Sequence, residues 1–77
     1  MNLKNYYFTF GSHEMFPYKN TYLIVKAANR TVAVEKFRER YPDKNNNCVN
    51  CAFIYDEEEW EKSLNKTTYG EPAEIID

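Results

Sequence analysis

The stretch Thr31–Tyr41 (TVAVEKFRERY), closed by Pro42, sets the terms for the rest of the chain. At about 100° per residue, Ala33, Val34, Phe37 and Tyr41 fall on one stripe, and Glu35, Lys36 and Glu39 fall outside it. The spacing predicts an amphipathic helix. Asn29 or Thr31 supplies its cap, because a short side-chain oxygen accepts from the free N–H groups of a first turn. Pro42 ends it, since the residue before a proline is pushed out of the helical region. The residues before this helix read as strand, and those after it read as strand plus one short helix. A single apolar stripe with strands on either side requires a sheet beneath it.

Asn5–Phe10 (NYYFTF) is built from residues that suit a pleated, half-buried surface. Tyr6, Phe8 and Phe10 share one face and Tyr7 and Thr9 the other. Both faces are apolar enough for a central strand, or for a strand whose second face meets another subunit. Gly11-Ser12 breaks the pattern and Pro17 with Lys19-Asn20 closes it, leaving a loop too long for a two-residue hairpin. Thr21–Ala27 is the second strand, with Leu23, Val25 and Ala27 turned to the helix, and it pairs antiparallel with the first.

After the polar Asp43–Asn47 connection, Cys51–Tyr55 makes a short third strand, placed beside the first and parallel to the second. Asp56 with Glu59 three residues on has the pattern of a capping box, and the acids Asp56–Glu59 suit the positive end of a helix dipole. Trp60 and Leu64 give that second helix one apolar stripe. Gly70-Glu71-Pro72 turns into an edge strand, Ala73–Ile76. The expected fold is a single α+β domain over residues 1–77. It holds a three- to four-stranded, mostly antiparallel sheet in the order β-β-α-β-α, with the main helix on one face.

A chain of 77 residues supports only about 3–5 kcal/mol from one core, and seven Tyr, five Phe and one Trp supply much of its buried area. A net charge of −2 gives no electrostatic reason to bind nucleic acid directly or an anionic membrane. No apolar run approaches the roughly 18–20 residues of a membrane span, and Met1-Asn-Leu-Lys lacks the apolar segment of a signal peptide. Two cysteines without an export signal fit a reducing cytoplasm.

Cys48-Val49-Asn50-Cys51 has the spacing of a zinc half-site or a redox pair. Zinc wants four ligands, however, and the chain has one histidine and no second cysteine pair. A redox pair belongs at a helix start, whereas Cys51 opens a strand. Both cysteines are read as structural, and no metal and no cofactor are expected. His13-Glu14 lacks a nucleophile or an H-E-x-x-H frame, so an enzyme is not expected either.

A binding site is expected at the first loop and the helix start: His13, Phe16, Tyr18 and Arg30, walled by Tyr6, Tyr7 or Tyr22. Loops held on a sheet concentrate binding residues, and Arg30 at a helix start favours an anion. Aromatics beside a guanidinium suit a nucleotide-like ligand, and they equally suit a protein interface. Arg38, Arg40, Lys4, Lys19 and Lys26 are read as solvated charge.

Tyr7-Phe8-Thr9-Phe10-Gly11-Ser12, Phe16-Pro17, Ala33…Phe37-Arg38…Tyr41-Pro42, Asn50-Cys51-Ala52, Tyr55 with Glu57-Glu58 and Trp60, and Glu74-Ile75-Ile76 carry a resemblance. Over nearly the whole chain the pattern resembles a family of small proteins encoded by phages and prophages of Gram-positive bacteria. The resemblance brings no catalytic residues. It implies a cytoplasmic counter-defence factor in the bacterial host that acts by binding. Two forms of that role are expected. One is a homo-oligomer that sequesters a nucleotide-derived immune signal; the other is a direct inhibitor of a host defence protein.

Overall fold

Four strands pair in the order β3–β1–β2–β4, and the alternation of side chains along β1 explains why a helix is needed on each side. The computed structural model describes residues 3–11, 18–43, 51–63 and 70–77. Strands β1 (Lys4–Thr9) and β2 (Tyr22–Ala27) run antiparallel, with Tyr6 opposite Val25 and Phe8 opposite Leu23. The long connection between them is drawn shut at its base, where the Asn20 N–H donates to the Gly11 carbonyl at 2.6 Å. Gly11 (φ 62°) and Asn20 (φ 55°) both take the left-handed conformation there, which glycine and asparagine tolerate best.

Helix α1 (Arg30–Arg40) crosses the face formed by Tyr6, Phe8, Leu23, Val25 and Ala27. Of its two candidate caps, Asn29 is the one used, and its side chain accepts the Val32 N–H at 2.9 Å. Ala33 and Phe37 are fully buried, and Val34 and Tyr41 pack at the margin. Phe37 lies on Phe8 with ring centroids 4.6 Å apart and 15° between planes, and reaches Phe10 at 6.1 Å. This is the hydrophobic core.

Strand β3 (Phe53–Tyr55) lies beside β1, antiparallel to it, and so points the same way as β2, in agreement with the sequence-based expectation. Cys51 and Ala52 fall outside the strand proper; the Ala52 N–H donates to the Thr9 carbonyl at 2.7 Å. Strand β4 (Glu74–Ile76) runs parallel to β2 at the opposite edge, making the sheet mixed. Its Glu74 is anchored under the end of α1, paired with Arg40 and accepting the Tyr41 hydroxyl at 2.6 Å. The Tyr41 phenol is raised well above its usual range, first by burial and then by its bonds to Glu74 and Tyr18.

The second face of the sheet carries Tyr7 and Thr9 on β1, Tyr22 and Ile24 on β2, Phe53 and Tyr55 on β3, and Ile75 on β4. Helix α2 (Glu57–Lys62) covers its centre by inserting Trp60, which is buried. The expected capping box is present: the Asp56 carboxylate accepts the Glu59 N–H at 2.7 Å, and the Glu59 carboxylate accepts the Asp56 N–H at 3.0 Å. Glu57 accepts the Asn5 N–H at 2.7 Å, beyond the end of β3, and Glu58 pairs with Lys62 one turn on at 3.0 Å. The four acids are thus engaged in holding this helix. No helix among the described residues is long and apolar enough to cross a membrane.

Candidate functional site

Strand alternation divides the expected site residues between two faces. Tyr6 is buried on the α1 side, and Tyr18 packs there too, 5.7 Å from the Phe10 ring and 3.2 Å from the Tyr41 hydroxyl. Tyr7 and Tyr22 stand on the α2 side. Arg30 joins this second group, because its guanidinium donates to Glu59 at 2.6 Å. Tyr18 does not: its partner Tyr41 lies eleven residues along from Arg30, about 16 Å at 1.5 Å per residue. His13 and Phe16 lie outside the described residues.

What the structure brings together is an aromatic cluster around Trp60, on a helix whose preceding residue, Glu59, pairs with Arg30. Trp60 lies flat on Tyr7, centroids 4.5 Å apart and planes 2° apart. Tyr22 packs tilted against the indole at 4.7 Å and 44° and adjoins Tyr7 at 6.1 Å, and Tyr55 meets the indole edge-on at 5.7 Å. Offset stacks and edge-to-face contacts at these separations add about 0.5–1.5 kcal/mol each beyond burial. The Tyr22 hydroxyl donates to the Gly70 carbonyl at 2.9 Å, and burial raises this phenol, with Glu71 and Tyr7 adding to the effect.

Trp60 is the member that sequence reasoning does not assign to a site. Its signal is there all the same: a lone indole on an otherwise acidic short helix must find an apolar seat, and the Tyr7 face of β1 needs a cover. The ion pair between Arg30 and Glu59 is weakly held. Arg30 and Glu59 are each about half exposed (48% and 51%), and such pairs contribute roughly 0–1 kcal/mol.

Two open grooves adjoin these residues. One, of about 300 Å³, is lined by Lys4, Tyr6, Asp56, Glu57 and Glu58. The other, of about 390 Å³, runs over the outer side of α1 between Arg30, Val34 and Arg38. In the first, Asp56 is committed to the cap, Glu57 to Asn5 and Glu58 to Lys62, and the Lys4 side of the groove is exposed.

Cys48 lies outside the described residues, and no group of three His, Cys, Asp or Glu side chains among the described residues is arranged to hold a metal. Cys51 packs at the edge of the core, and burial, helped by Asp43, pushes its thiol up to about 12. Since the thiolate is the reactive form, Cys51 in a Cys48→Ser background is expected to react with a disulfide reagent at neutral pH roughly 100- to 1000-fold more slowly than an open thiol. A rate equal to that of the unfolded chain would restore Cys51 as a reactive residue. The chain matches no protein-family model, no curated protein and no solved structure.

Proposed function

We propose that this protein is a non-enzymatic binding module that sequesters a small nucleotide-derived molecule, in the phage counter-defence setting implied by the resemblance. The observation that carries the reading is the Tyr7–Trp60–Tyr22 cluster together with the ion pair that Glu59, the residue before Trp60, makes with Arg30. A flat heteroaromatic ring needs stacking surfaces, and the anionic part of such a molecule needs a fork of N–H donors beside them.

A second reading is direct inhibition of a host defence protein. It is favoured by Phe53 (65% exposed) and Ile75 (51% exposed), which stand at opposite edges of the sheet on the α2 side. Exposed large apolar side chains at strand edges suit contact with another chain, which also supports assembly into a homo-oligomer. Native mass spectrometry of protein isolated from infected, defence-expressing cells tests both. The expected result is an oligomer retaining a small molecule with nucleotide absorbance. A stoichiometric host protein and no small molecule would replace the first reading with the second.

A further inference from the structure

The apolar side chains form two separate groups, and this separation bears on how a ligand reaches the aromatic cluster. The core under α1 comprises Tyr6, Phe8, Phe10, Leu23, Val25, Ala27, Ala33 and Phe37, with no contribution from Trp60, Tyr7 or Tyr22. Helix α2 rests on β1 and β3 through Trp60. Polar ties from Glu57 to the Asn5 N–H and from Glu59 to Arg30 add to this, and both are exposed. Lifting α2 leaves the core closed. It also does two things at once: it bares the Tyr7 and Tyr22 rings, which adjoin each other at 6.1 Å, and it frees the Arg30 guanidinium.

We propose that α2 is a self-occupying lid, with the adjacent Trp60 ring and Glu59 carboxylate standing in for the ring and the anionic group of the ligand. The inference rests on the ligand class proposed above and adds how the site is regulated. Trp60 fills the stacking position, face-on to Tyr7, and Glu59 fills the anion position on Arg30. Binding then requires the open form, and the apparent affinity is the intrinsic affinity reduced by the fraction of molecules that are open. A six-residue helix with exposed ties belongs to the elements that open without global unfolding. The device makes the empty protein stable while keeping its aromatic surface out of water.

The sole tryptophan reports directly on the lid. Adenosine diphosphate serves as a probe with ring and anion, adenosine as ring alone, and Trp60 emission and calorimetry as readouts. The expected result for the natural protein is binding of the diphosphate with a red shift of Trp60 emission and greater quenching by acrylamide. Trp60→Ala tightens the diphosphate on the order of tenfold or more, because the occupant is gone. Glu59→Gln, which leaves the aromatic cluster untouched and guards against a fold defect in the first variant, tightens it roughly two- to fivefold, the worth of an exposed ion pair. Adenosine gains more from Trp60→Ala than from Glu59→Gln. Diphosphate binding with Trp60 emission unmoved, or with equal affinity in all three proteins, leaves the ligand reading standing and overturns the lid. No binding by any of the three overturns both.

Discussion

Replacing Phe37 by alanine is expected to unfold most of the protein, at a cost of about 3–5 kcal/mol. The ring is fully buried, lies 4.6 Å from Phe8 and touches Phe10 and Tyr41 on its other sides. Four aromatic rings therefore meet at one point, and truncation leaves a cavity that three rigid neighbours cannot collapse into. The same residue joins α1 to the sheet, since Ala33, its partner one turn earlier, is too small to do so alone. A domain of this size holds roughly the same free energy in total, so no reserve remains. Urea denaturation followed by far-ultraviolet circular dichroism measures it. A variant that melts within a few degrees of the natural protein would mean that the core lies elsewhere.

Much of this core is legible from period alone. The stripe of Ala33, Val34, Phe37 and Tyr41 and the alternation of Leu23, Val25 and Ala27 meet as their spacing implies. The Asp56–Glu59 capping box is local chemistry, and it forms where its four residues stand. Even the placement of β3 beside β1 is implied by the crossover through α1. Strand and helix ends differ by one or two residues, as ends do when only a single hydrogen bond decides them.

The candidate site is less legible, for two reasons. Tyr6 and Tyr7 cannot wall one site together, because alternation along β1 puts them on opposite faces. Arg30 does not stand at a free helix start, and its partner Glu59 lies 29 residues further along the chain. No periodicity reports an ion pair between two helices on opposite faces of a sheet. Of the stripe expected on α2, Trp60 is buried and Leu64 lies outside the described residues; the three tyrosines that receive Trp60 come from three different strands. Pairing between distant segments decides such a cluster, and that is the information a local pattern lacks.

Replacing Trp60 by alanine is expected to act quite differently from Phe37→Ala, although tryptophan is the larger side chain. Both are buried, at 3% and 0% exposed, and a simple count of lost area would make the tryptophan change the worse of the two. The loss is limited, however, by how much free energy holds α2 against the sheet, because the variant can release α2 and keep the core closed under α1. The ties of Glu57 to Asn5 and of Arg30 to Glu59 are solvent-exposed and contribute little. The global cost is therefore about 1–3 kcal/mol, that of exposing one face of an aromatic cluster rather than of breaking a core. Hydrogen exchange separates the two cases. The Trp60 and Ser63 amides, bonded to the Asp56 and Glu59 carbonyls within α2, should lose their protection in Trp60→Ala. The paired amides of β1 and β2 and the Tyr41 amide at the end of α1 should keep theirs. If all of them exchange together, α2 belongs to the same cooperative unit as the core, and Trp60 is a structural anchor that no ligand displaces.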